Sequence, residues 1–149
     1  GFINSEEGVL YAEISALNET NNNASFLSLG SGTHTDNSIY IQLRSGANKI
    51  GIWSYSNGVN QSAEVLFLSD ITQMNKIAIS YKLNDFKVYI NGSVVYTNAS
   101  YNTMIPNSLN VLEFARDGSN SLFFYGKTKD LKVYDKPLTD DELINLTTI

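Results

Sequence analysis

Tyr40, Trp53 and Tyr55 offer the clearest chemistry in this 149-residue sequence. They fall at alternate positions of two neighbouring stretches, "SIYIQLR" (38–44) and "KIGIWSY" (49–55). Paired as a hairpin across Ser45-Gly46-Ala47-Asn48, these stretches set Leu43 opposite Ile50 and Ile41 opposite Ile52 on one face. The other face then holds Tyr40 opposite Trp53, Gln42 opposite Gly51 and Arg44 opposite Lys49. Aromatic rings beside an amide and a guanidinium are what sugar recognition needs: a flat surface for apolar C–H faces and groups that hydrogen-bond hydroxyls. Gly51 should leave a shallow trough opposite Gln42. The same residues equally suit a contact with another protein chain, or an ordinary sheet surface, because aromatics favour strands and interfaces alike. Lys87, Tyr89, Lys132 and Tyr134 form a second, weaker version of this pattern, whose lysines read more simply as a solvated sheet surface.

Other chemistry is thinly provided for. There is one histidine, His34, in a loop with no nucleophile motif, and no cysteine, so neither a hydrolytic triad nor thiolate-bound zinc has its parts. Charged residues make up 17% of the chain, the net charge is −5 and the pI is about 4.7. That balance argues against a nucleic-acid partner, which calls for a basic patch, and against docking on an anionic membrane. No apolar run is long enough to span a membrane.

The elements that must position these residues are strands. "VLYAEISAL" (9–17), "SFLSLG" (25–30), "VLFLS" (65–69), "NVLEFAR" (110–116) and "SLFFYGK" (121–127) join the hairpin above, with Asn-rich loops between, including 18–24. A second hairpin pairs "KIAISYK" with "FKVYING" through Leu83-Asn84-Asp85, setting Ile77, Ile79 and Tyr81 against Ile90, Val88 and Phe86. Asn91-Gly92 then signals a type I′ turn into "SVVYT". Many short strands without alternating helices predict an all-β sandwich of two antiparallel sheets. The end differs: after a strand closing at Tyr134, Thr139 and Glu142 form a capping box, with Asp140 and Asp141 in the first turn of a short helix. Its Leu143/Leu146 stripe must bury somewhere. The chain reads as one domain, residues 1–149. Its start at Gly1, without an initiator Met, reads as a module cut from a longer protein. Six Asn-X-Ser/Thr sequons, at Asn18, Asn23, Asn60, Asn91, Asn98 and Asn145, are what so much Asn, Ser and Thr generates by composition; the alternative is a glycosylated ectodomain.

The stretches "NKIAISYKLNDFKVYINGSVV" and "GKTKDLKVYDKPLTDDEL" resemble the laminin-G-like, concanavalin A-like lectin/glucanase superfamily. That resemblance implies a jelly-roll sandwich whose last strand returns to a sheet and whose terminal helix covers an end of it. Members are mostly sugar binders, adhesion modules or glycan hydrolases. Short, cysteine-free, Asn-rich versions occur in bacterial surface proteins and in bacteriophage tails and fibres. The implied role is a non-catalytic glycan-binding or adhesion module on a virion or cell surface, outside the cell. Its partners would be a polysaccharide or cell-surface glycan and the other chains of an assembly, with homo-oligomerisation open. The alternatives are a structural domain working through protein contacts and a hydrolase.

Hydrolases of this fold carry catalytic carboxylates at alternating positions of one strand, so that all reach one glycosidic bond. Here Glu13, Glu64 and Glu113 stand alone. Relatives also hold calcium at a loop rim with Asp, Asn and carbonyl oxygens. The matching cofactor, if any, would sit on Asp117 and Asn120 of "DGSN", with Asp36-Asn37 approaching from the other sheet, although these residues make turns without an ion too.

Overall fold

The computed structural model describes residues 3–17, 25–44 and 48–149. The ten strands are β1 (Gly8–Ala16), β2 (Ser25–Gly30), β3 (Ser38–Arg44), β4 (Lys49–Ser56), β5 (Val59–Phe67), β6 (Asn75–Tyr81), β7 (Phe86–Ile90), β8 (Ser93–Asn98), β9 (Val111–Glu113) and β10 (Gly126–Tyr134). One helix, α1 (Asp140–Thr147), closes the chain. The strands form two antiparallel five-stranded sheets, ordered β10-β1-β6-β7-β8 (the back sheet) and β5-β4-β3-β2-β9 (the front sheet).

Period-2 alternation builds the core. Leu27, Leu29, Ile39, Ile41, Leu43, Ile50 and Ile52 of the front sheet meet Leu10, Ala12, Ile14, Ile77, Ile79, Tyr81, Phe86 and Val88 of the back sheet, nearly all without solvent exposure. Two Asn-Gly dipeptides set the tight turns. Asn57 (φ 49°) and Gly58 (φ 78°) join β4 to β5, and Asn91 (φ 50°) and Gly92 (φ 88°) join β7 to β8. Both central residues lie at positive φ, the geometry whose twist matches the flanking strands.

The β3–β4 and β6–β7 registers read from the sequence are those observed: Tyr40 faces Trp53, Gln42 faces Gly51 and Ile79 faces Val88. Other boundaries differ. β5 starts at Val59, inside a stretch that reads as loop, and stops at Phe67 rather than running on to residue 69. It is an edge strand with polar Asn60, Gln61 and Ser62, and a register shift beside Ser54/Tyr55 breaks its alternation. "NVLEFAR" yields only the three residues of β9, and from "SLFFYGK" only Phe123 bridges, to Ala115, before β10 begins at Gly126. The Asn-rich 18–24 loop and residues 45–47 of the first hairpin turn lie outside the described residues.

The helix also sits differently from expectation. Its capping box is present, Thr139 Oγ1 accepting from the Glu142 amide and Glu142 Oε1 from the Thr139 amide. Rather than covering an end of the sandwich, α1 lies on the outer face of the back sheet against β6, β7 and β8. Leu143 packs there with Val9, Tyr11, Ala78 and Tyr89, while Leu138 and Leu146 flank them. Asp140 takes hydrogen bonds from Lys87 Nζ at 2.9 Å and the Tyr89 hydroxyl at 3.0 Å. The second aromatic pattern, around Tyr89 and Tyr134, is therefore the seat of the helix, and Tyr89 is 3% exposed.

Candidate functional site

Among the described residues no helix packs on the front sheet, and its outer face carries the first aromatic pattern. Tyr40 and Trp53, directly opposed on β3 and β4, stack with centroids 6.0 Å apart and planes 17° from parallel. Phe26 and His34 pack on the other sides of Tyr40, at 6.4 and 6.1 Å between centroids. The Tyr40 ring is buried by these neighbours, and burial pushes its phenol up to about 12. Tyr40 is thus a support, while Trp53 and Tyr55 remain half-exposed.

Gly51 does not leave a trough. A Cβ placed on it would lie 2.7 Å from Trp53 Nε1 and 3.4 Å from Gln42 Oε1, so the indole leans back along β4 over the glycine. Trp53 Nε1 is buried there without a hydrogen-bond partner. Gly51→Ala should therefore tilt the indole, shifting the emission of the single tryptophan and costing about 1 kcal/mol as a small overpacking. Fluorescence and denaturant titration of the variant check this.

Gln42 is half-buried, and Arg44 is exposed at the end of β3 opposite Lys49. The Lys49 ammonium stands 5.2 Å above the Phe67 ring. At the other end of β3, the 31–37 loop joins β2 to β3 within the front sheet, correcting the expectation that it approaches from the other sheet. It is tied to three neighbours. The Asn37 side-chain oxygen accepts from the Asn57 and Ile105 amides, both at 3.1 Å, and Gly58 N–H donates to the Asp36 carbonyl at 3.0 Å. The buried Asp117 carboxylate accepts from the Gly32 amide at 3.0 and 3.1 Å, and the Asp117 carbonyl accepts from the His34 amide at 3.2 Å.

The three oxygen-bearing residues expected at a calcium site are thus distributed as follows. Asp117 is turned onto backbone N–H donors, and the Asp36 and Asn120 side chains are exposed on loops. In "DGSN" the Ser119 hydroxyl closes the turn by accepting from Leu122 at 3.0 Å. Among the described residues no three His, Asp or Glu side chains gather as a metal group. The isolated glutamates stay apart: Glu13 lies in the back sheet beside Lys129 at 3.5 Å, and Glu64 and Glu113 lie on β5 and β9, opposite edges of the front sheet.

Arg116 is the residue of this face that sequence reasoning missed. Its charge acts on both Tyr40 and His34, its Nε is buried without a partner, and among the described residues it makes no salt bridge. Burial, and then the Arg116 charge, hold His34 below its ordinary value. Arg116 reaches this place because the Ala115 carbonyl accepts from Ser28 Oγ, 87 residues away in sequence, and no local pattern announces such a contact.

A two-sheet jelly roll with an open aromatic face defines a class, the lectin-like β-sandwiches. The profile of the concanavalin A-like lectin/glucanases superfamily matches residues 11–144, and the chain belongs to that family. Solved structures agree in fold. The CBM40 of Ruminococcus gnavus IT-sialidase superposes with a TM-score of 0.76 at 21% identity, covering 97% of this chain and 84% of that one. The same CBM40 bound to α2,3-sialyllactose gives 0.70 at 22% identity, covering 97% and 83%. Domain 4 of AbnA, a GH43 extracellular arabinanase from Geobacillus stearothermophilus, in complex with arabinotriose, gives 0.66 at 17% identity, covering 98% and 68%. No curated protein sequence matches the chain. No helix among the described residues is long and apolar enough to cross a membrane.

Proposed function

We propose that this chain is a non-catalytic glycan-binding module, part of a larger bacterial surface protein or phage tail or fibre protein, that attaches it to a polysaccharide or cell-surface glycan outside the cell. The observation that carries this reading is Trp53: a half-exposed indole held by Tyr40 on one side and Gly51 beneath, on a sheet face left uncovered by the chain's own helix. A sugar ring stacks on the indole, and Gln42 and Tyr55 supply hydrogen bonds at its margin. Structural neighbours crystallised with sialyllactose and arabinotriose support this use of the fold. The separation of Glu13, Glu64 and Glu113 supports a binding rather than a hydrolytic role.

Titrating polysaccharides against the intrinsic fluorescence of Trp53, with and without calcium, tests the proposal. A saturable shift is expected for at least one glycan. Trp53→Ala should weaken binding about tenfold or more, measured by calorimetry, while the thermal transition survives. A Trp53→Ala variant that binds as well as the parent removes the site from this face. A concentration-dependent oligomer that buries Trp53, and that no glycan shifts, replaces it with the assembly reading.

A further inference from the structure

We infer, resting on the glycan-binding reading above, that the ligand is an anionic polysaccharide lying along β3 and β4, touching Trp53 at its middle and cations at both ends. The charge distribution carries this. The chain has 15 acidic and 10 basic residues, yet β3 and β4 carry two cations and no carboxylate. Alternation from the core-facing residues places Arg44 and Lys49 on the outer face of the front sheet, and Arg116, whose neighbour Asp117 takes the His34 amide on its carbonyl at 3.2 Å, stands at its rim beside Tyr40 and His34. Glu113, on edge strand β9, is the one carboxylate the same alternation puts there, and Asp36 is exposed in the 31–37 loop. Asp117, next to Arg116 in sequence, is 1% exposed and turns its carboxylate onto the Gly32 amide.

Among the described residues neither cationic end has an ion pair, and Lys49 rests over the Phe67 ring. Arg44 and Lys49 are a directly opposed cross-strand pair of like charge, an arrangement that costs stability, and among the described residues neither has a carboxylate within salt-bridge distance. Arg116 has an unpartnered buried Nε, a donor that an anionic oxygen would satisfy. Four residues of extended strand separate Tyr40 from Arg44, about 13 Å. One sugar ring cannot touch both ends, whereas a chain with recurring carboxylate or sulfate groups can. Each end lies beyond roughly a Debye length from the other at physiological salt, so the two contacts act locally and nearly independently.

The experiment compares polygalacturonate, a sulfated galactan, the same galactan desulfated, and α2,3-sialyllactose, by calorimetry at two salt concentrations. The inference predicts that at least one of the two charged polymers binds, that its affinity falls with salt, and that the neutral polymer binds about tenfold or more weakly. Arg116→Gln and the double variant Arg44→Gln/Lys49→Gln should each lower that affinity about tenfold, with thermal transitions like the parent's. Preference for polygalacturonate over the sulfated galactan, or the reverse, assigns the anion as carboxylate or sulfate. Equal binding of neutral and charged galactan, unmoved by Arg116→Gln, overturns the anionic assignment and leaves the glycan reading standing. Sialyllactose binding as tightly as either polymer, with no effect of the double variant, overturns the two-ended chain. If no glycan shifts Trp53, both the inference and the reading beneath it fail.

Discussion

Asp117→Ala should cost this protein about 1–3 kcal/mol, because a buried carboxylate cannot be removed without orphaning the backbone donor it holds. Asp117 is 1% exposed, and both oxygens of its carboxylate accept from the Gly32 amide. Its removal leaves that N–H facing a gap, and the 31–37 loop loses one of its anchors to the chain beyond β9. Denaturant unfolding at neutral pH measures the loss. Because His34 and Arg116 are placed through this junction, any glycan affinity that depends on Arg116 should fall with it.

The pH dependence separates the charge of Asp117 from its shape. Burial raises its carboxyl above the usual value, outweighing the backbone donors around it, so the unfolded chain ionises it first. The folded state is then favoured by this group below the ordinary carboxylate range, and that contribution is lost as pH rises through the raised native value. Asp117→Asn keeps an acceptor oxygen and cannot ionise. It should be less destabilised than Asp117→Ala, and its stability should lack this part of the parent's acid-range slope. Identical slopes in parent and Asn variant would show that Asp117 contributes nothing to that titration.

The second large effect is expected at Leu143. An eight-residue helix is too short to persist alone, so α1 exists because its apolar stripe docks. Leu143 is 1% exposed and is the helix residue that packs directly among Val9, Tyr11, Ala78 and Tyr89. Leu143→Ala should remove about 2–4 kcal/mol of docking, the usual cost of emptying a buried leucine site. If the helix releases before the sandwich unfolds, amide exchange will show it: protection falls across 140–147 while β3 and β4 keep theirs. A variant whose helix amides stay protected, with global stability changed by less than about 0.5 kcal/mol, would mean that the capping box and the Asp140 contacts hold α1 in place.

The contrast between what the sequence disclosed and what it hid follows the range of the contacts. The β3–β4 and β6–β7 hairpins were legible because their partners are neighbours in sequence and each pairing sorts aliphatic from aromatic residues on sight. The capping box was legible for the same reason. β5 was obscured by chemistry: its Asn-Gln-Ser run is that of a loop, and its strand character comes from pairing with β4 across a register shift. The seat of α1 was misplaced because Tyr89 and Lys87 look solvated until Leu143, more than fifty residues on, lands over them. At the candidate site, the faces of Tyr40 and Trp53 could be read, but not that one ring would bury the other. Arg116 and His34 could not be assigned at all, since the pairing of β2 with β9 puts them there.

The seating of the helix has a consequence for valency. With α1 seated over β6, β7 and β8, the front sheet is the broader open face, and on the glycan-binding proposal one module would engage a polymer over one short stretch of its length. On that proposal, firm attachment to a repeating surface would come from copy number, through tandem or multimeric display. There, local concentration turns modest grips into avidity, and a release of one module leaves the others engaged.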